Sequence, residues 1–154
     1  MTDLSTGATR RALLATAAGG LALIAFGPSI ALADAKMVGD EVKKLFGDKP
    51  VKDGKIKLDL PSIAENGLVV PLSFEVESPM TPTDYVKSVH FFAEGNPNPL
   101  VAAFTFTPLS PKAAASIRIR LAKTQNVVAV AELSNGEIWR AVKEVKVTIG
   151  GCGG

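Results

Sequence analysis

The stretch Val70-Pro71-Leu72-Ser73-Phe74-Glu75-Val76-Glu77 decides the fold. Val70, Leu72, Phe74 and Val76 alternate with Ser73, Glu75 and Glu77, and a period of two gives an extended strand one apolar and one polar face. Pro71 interrupts the run, and a residue without an N–H belongs at a sheet edge or a bulge. Upstream, Ile56, Leu58 and Leu60 alternate with Lys55, Lys57 and Asp59, and Pro61 and Pro79 punctuate the two runs. Downstream, strand-like runs follow at 85–93, 100–107, 116–121, 127–133 and 137–149, the last long enough for two strands or one bent one. Asn135-Gly136 sits between two of them as a hairpin turn signal. From Asp34 the period changes: Met37, Val38, Val42, Leu45 and Phe46 make one face of a short helix, with Gly47 placed to cap it. Many short strands and one helix predict an immunoglobulin-like antiparallel β-sandwich, with a small barrel as the alternative. Its core falls to Phe74, Phe91, Phe104, Phe106, Ile117, Ile119, Val128, Val130, Trp139 and their neighbours.

Composition narrows the chemistry. The 154 residues include 17 Lys+Arg, 15 Asp+Glu, one His and one Cys. One His and one Cys cannot supply a Cys/His zinc site, a blue-copper ligand set or a paired-thiol redox motif. A formal charge of +2 lacks the clustered basic face of a nucleic-acid binder. With 47% apolar and 21% charged residues, the chain is foldable, not disordered.

Residues 1–33 read as an export signal. Arg10-Arg11 precede an apolar run to Phe26, and Ala31-Leu32-Ala33 supplies a small-x-small cleavage site; the paired arginines point to the twin-arginine (Tat) route and a periplasmic location. A membrane anchor is the weaker reading, because the run falls short of the ~20 apolar residues a span needs and contains Gly19, Gly20 and Pro28. Cleavage after Ala33 removes Asp3, Arg10 and Arg11 and leaves 121 residues with 15 basic and 14 acidic side chains. Such a nearly neutral domain, residues 34–149, suits docking on other proteins better than steering by a large field.

The other end is stranger. After Val145, Val147 and Ile149 the chain finishes as Gly150-Gly151-Cys152-Gly153-Gly154. Four glycines give this segment no packing and leave it its conformational entropy, so it reads as a flexible arm that presents a thiol. Five extended residues reach ~17 Å, the depth of an enzyme cleft, and an arm without bulky side chains fits a narrow one. In an oxidising compartment an odd Cys becomes oxidised, paired between chains or loaded. No Lys, Arg or His on the arm lowers the thiol pKa, so Cys152 suits a carrier activated inside another protein's site better than a self-sufficient nucleophile.

The terminal Gly-Gly-Cys-Gly-Gly and the twin-Arg leader, together with Glu65-Asn66-Gly67 through Val70-Pro71, Val76-Glu77-Ser78-Pro79-Met80-Thr81, Val86-Lys87-Ser88 and Phe92-Ala93-Glu94-Gly95-Asn96-Pro97, closely resemble the SoxY family. These are the sulfur-carrier subunits of the bacterial thiosulfate-oxidising Sox system, and the resemblance covers essentially the whole chain. It implies that Cys152 holds the sulfur substrate as an S-thiosulfonate and then as persulfide-level intermediates. It implies a heterodimer with SoxZ, which lacks an export signal and would travel out with this chain. The expected visitors are the heme protein SoxAX, which conjugates thiosulfate oxidatively, SoxB, which hydrolyses off sulfate, and in some organisms SoxCD. The chain itself would be no enzyme and would bind no metal, heme or other cofactor.

Two readings compete. A thiol enzyme would act as the isolated chain, yet no resolving Cys or adjacent base accompanies Cys152. A periplasmic binding or scaffold module would make the tail irrelevant. Pairing of two chains through Cys152 stays open. His90, among Val89, Phe91 and Phe92, reads as structural or surface; Glu94-Gly95-Asn96-Pro97 as a turn; Ser78-Pro79-Met80-Thr81-Pro82 as a loop; and Arg118, Arg120 and Lys123 as one solvated face. An exposed apolar patch on one sheet is the expected partner surface.

Overall fold

The structure, a computed structural model, describes residues 29–150, with side chains from Ala35 onward. The alternating run is strand β4 (Val70–Val76), which pairs antiparallel with β2 (Ile56–Asp59) on one side and with β7 (Ala113–Ile119) on the other. β4 is therefore central to a three-stranded sheet, where Pro71 had suggested an edge or a bulge. The reason is register: β2 reaches only as far as Ser73, so β4 is a local edge where Pro71 stands, and a missing N–H is tolerated there.

The larger sheet holds β5 (Val86–Ala93), β6 (Leu100–Thr105), β8 (Gln125–Leu133) and β9 (Ile138–Ile149), all antiparallel neighbours in the order β9-β8-β5-β6. The hairpin between β8 and β9 turns at Asn135-Gly136 as expected. Gly136 takes φ 83, and the Asn135 side chain accepts from the Glu137 N–H at 2.9 Å. The 137–149 run is one strand. Its outer edge is shared by two short strands that the sequence did not announce, β1 (Val51–Asp53) and β3 (Ile63–Asn66). Both run parallel to β9, β1 against residues 138–140 and β3 against residues 146–149. Three or four residues are too few to display a period of two.

Leu72, Phe74 and Val76 meet Val89, Phe91, Val127 and Ala129 between the sheets. Phe74 lies 4.8 Å from Phe91 and 5.1 Å from Phe104, ring centre to ring centre. Phe74, Phe91 and Ile119 are buried as expected, while Phe104, Phe106, Ile117 and Trp139 are half-buried against them. Val128 and Val130 belong elsewhere. With Phe92 and Ile138 they form a second cluster on the opposite face of the larger sheet, covered by Val38, Val42 and Phe46 of α1 (Ser29–Phe46). β8 is thus covered on both faces, which is why residues 127–131 read as a continuous apolar run instead of alternating.

Helix α1 ends at Gly47, whose φ of 74 and N–H bond to the Lys43 carbonyl at 2.8 Å form the expected glycine cap. It begins at Ser29, five residues before the expected start, and runs through the expected cleavage point after Ala33. A chain cut there would begin inside the helix and keep Val38, Val42 and Phe46. Among the described residues no helix is long and apolar enough to cross a membrane.

His90 is structural in this setting. It sits on β5 opposite Val130 and Ala103, under the edge of Phe46 at 5.2 Å, and its buried Nδ1 has no hydrogen-bond partner. Burial pushes its pKa below the ordinary 6.5, against a smaller upward pull from Glu132. The unfolded chain then binds the proton more readily than the folded one, so stability falls as pH drops below about 6.5 and levels off once the lower folded value is passed. Thermal unfolding between about pH 5 and 7 should show this slope, and His90→Leu should flatten it. An unchanged slope would remove His90 as its source.

Candidate functional site

The described part of the arm is its root, where β9 runs out at Ile149 and Gly150. β8 accompanies β9 only to Val145; beyond that point β3 takes one side and the loop 120–124 takes the other. On the β3 side the Gly67 N–H donates to the Ile149 carbonyl at 2.8 Å, and the Leu121 N–H donates to the Gly67 carbonyl at 2.8 Å. On the loop side the Thr124 hydroxyl accepts from the Val147 N–H at 2.9 Å. Gly150 then passes so close to the loop that a Cβ there would collide with the Ala122 carbonyl oxygen. The glycine is required by space, since its φ is not in the left-handed region.

The loop itself is held from beneath by two buried amides, Asn96 and Gln125. Asn96 Nδ2 donates to the Arg120 carbonyl at 2.9 Å, while Asn96 Oδ1 accepts from the Ala122 N–H and from Gln125 Nε2, each at 2.9 Å. Gln125 in turn donates to the Lys123 carbonyl at 3.0 Å and accepts from the Gly95 N–H at 2.6 Å. Every polar atom of both amides has a partner, and a satisfied buried network fixes one geometry, because each broken bond strands a desolvated group. The 94–97 segment is thus the turn that was expected. It also carries the residue that the sequence reading missed as a support of the root. A buried Asn in a Gly-Asn-Pro turn looks the same in sequence as an exposed one.

Around the root the surface is apolar. Ile149 is 67% exposed and Val69 55% exposed, with Leu68 exposed beside them; the Leu68 N–H bonds back to the Asn66 side chain at 2.9 Å. His90 stands opposite Val130, which pairs with Arg140. Ten residues of β9 separate Arg140 from Gly150, on the order of 30 Å of strand, so His90 is no base for the arm. Among the described residues no three His, Cys, Asp or Glu side chains cluster as metal ligands. Cys152, Gly151, Gly153 and Gly154, like Arg10 and Arg11, lie outside the described residues.

A family of sulfur oxidation proteins, SoxY, matches residues 42–152. The solved structure of the sulfur carrier protein SoxY from Chlorobium limicola f thiosulfatophilum is 36% identical, covers 75% of this chain and 99% of its own, and superposes with a TM-score of 0.63. A superoxide reductase (neelaredoxin) from Ignicoccus hospitalis is 21% identical, covers 61% of this chain and 80% of its own, and gives a TM-score of 0.54. That second likeness concerns the sandwich fold alone. No curated protein sequence matches the chain.

Proposed function

The chain belongs to the SoxY family of sulfur oxidation proteins, and from that premise we propose that it carries its sulfur covalently on Cys152 in the oxidation of thiosulfate. A sulfur carrier needs a thiol that leaves the protein body at a fixed point and still moves freely. The observation that supports this reading is the root: a strand held by the β3 side at Ile149 and by Thr124 at Val147, a Gly150 that only a glycine can be, and the chain's single Cys two residues later.

Loading joins the Cys152 sulfur to the outer sulfur of thiosulfate. The thiol loses its proton, two electrons pass to an oxidant, here the heme protein SoxAX, and Cys–S–S–SO3− remains. Hydrolysis, the work of SoxB, then adds water across the bond to the sulfonate, releasing sulfate and a proton and leaving the persulfide Cys–S–SH. SoxCD, where present, oxidises the sulfur that is left. Each step is done by the visiting enzyme, which fits an arm with no acid, base or metal of its own. Export by the twin-arginine route, with Arg10 and Arg11 as signal, would place this work in the periplasm, and SoxZ would be the standing partner.

The test is the intact mass of the protein from thiosulfate-grown cells, with and without reductant, followed by mapping of the terminal peptide. Reductant-labile sulfur or thiosulfonate adducts confined to Cys152 are expected. A free thiol or a glutathione cap that persists when thiosulfate and the partner enzymes are supplied would overturn the reading.

A further inference from the structure

Two asparagines of this chain are followed by glycine, in Asn66-Gly67 and Asn135-Gly136. This pair has a chemistry of its own. The backbone nitrogen of the glycine can attack the side-chain amide carbon of the asparagine, and with no Cβ on the second residue nothing obstructs the approach. Both asparagines fold their side chains back in the same way. Asn66 Oδ1 accepts from the Leu68 N–H and Asn135 Oδ1 from the Glu137 N–H, each at 2.9 Å. Such an Asx turn holds the side-chain amide over the next peptide unit, and the bond to its oxygen draws electrons from the carbon under attack. As electrophiles the two are alike.

They differ in the attacking nitrogen. Gly67 is buried, its N–H donates to the Ile149 carbonyl at 2.8 Å, and its own carbonyl accepts from the Leu121 N–H at 2.8 Å. Attack there requires the nitrogen to give up both its proton and its place in the clamp on β9. Asn135 is exposed at the tip of the hairpin, and the Gly136 N–H donates to the Leu133 carbonyl, three residues back, at 3.0 Å. A turn bond at an exposed tip opens by local fluctuation, whereas a buried bond between elements opens only when those elements part.

We propose that Asn135 is a modification site of the folded protein, converting through a succinimide to aspartate and isoaspartate, and that the clamp on β9 holds Asn66 unreactive. In the first step the Gly136 nitrogen loses its proton, bonds to Asn135 Cγ and expels the side-chain nitrogen as ammonia. In the second, water opens the ring at one carbonyl to give aspartate, or at the other to give isoaspartate, whose backbone runs through the former side chain and is one carbon longer. Neither step needs an oxidant or a reductant. At position 135 the extra carbon and the new carboxylate fall in a hairpin beside Glu137, which already holds Lys52, at the end of β9 away from Gly150. At position 66 the extra carbon would displace Gly67 from both of its partners and undo the hold on Ile149. The clamp thus protects the residue pair on which it depends.

The test keeps the full chain at mildly alkaline pH, where backbone nitrogens lose protons more readily, in native buffer and in urea, and follows isoaspartate at each site by peptide mapping. In urea both pairs should convert. In the native protein Asn135 should go on converting, and folding should slow Asn66 at least about tenfold more than Asn135, the factor for an extra opening cost of about 1.4 kcal/mol. Equal slowing at the two sites overturns the shielding, and no native conversion at Asn135 while the urea-unfolded chain converts there overturns the site. Thr124→Val, which removes the hydroxyl that accepts from the Val147 N–H, should raise the native Asn66 rate about two- to tenfold, the range for one lost hydrogen bond, and leave that of Asn135 unchanged. A rise at both sites, or at neither, overturns the clamp as the cause.

Discussion

Replacing Cys152 by Ser is expected to reduce thiosulfate-dependent turnover by the reconstituted Sox enzymes to background, with melting temperature and SoxZ binding unchanged. A serine hydroxyl forms no bond to sulfane sulfur, and its proton is far too tightly held for it to act as a thiolate does. Stability should not follow activity, because the buried core is complete by Val145 and the strand ladder by Ile149. The two competing readings diverge from this result. A self-sufficient thiol enzyme would show turnover by the isolated chain, and a scaffold module would work as well with residues 150–154 deleted. Retained turnover by the Ser variant would sink the carrier assignment. Lost turnover together with a lowered melting temperature would point to misfolding instead.

Phe91→Ala is expected to have the largest effect on stability. Phe91 is fully buried and reaches across the sandwich to Phe74 at 4.8 Å and along its own sheet to Phe104 at 6.1 Å. Truncating a buried Phe costs about 3–5 kcal/mol, the lost transfer energy plus the cavity left behind. A domain of this size holds roughly 5–15 kcal/mol in all, so much of the stability would go, and urea unfolding should show the midpoint falling. No Cys pair ties the sheets together, so apolar packing, with this aromatic contact inside it, holds them. A loss below about 1 kcal/mol would mean that the two sheets are not packed through Phe91.

The reading of particular elements explains which parts of the fold were legible. The alternation of β4 is legible because one of its faces is buried and the other more open, so its burial is written into every second position, while its central place in the sheet is not. The hairpin at Asn135-Gly136 and the cap at Gly47 were legible for a related reason: each requires a backbone conformation that few residues adopt. β1 and β3 were not legible. Their pairing is parallel and distant in sequence, and the partner strand supplies the geometry that three or four residues cannot specify alone. Val128 and Val130 were assigned to the right property, burial, but to the wrong cluster, since an apolar side chain does not state which of two layers covers it.

The site divides in the same way. The sequence by itself determined that residues 150–154 are four glycines around one Cys, that no Lys, Arg or His stands among them, and that strands alternate toward a sandwich core. These are local properties, fixed by residue type and spacing along the chain. Only the tertiary structure decided that β3 and Thr124 clamp the last residues of β9, that Gly150 slides past Ala122, and that Asn96 and Gln125 hold the loop making this contact. It also brought Arg118 and Arg120 to one cavity with Asn96 and Asn98. Asn96 and Ala122 are 26 residues apart in the chain and 2.9 Å apart in space. A contact of that kind is created by folding, when burial turns an ordinary amide into the one partner a desolvated N–H can find.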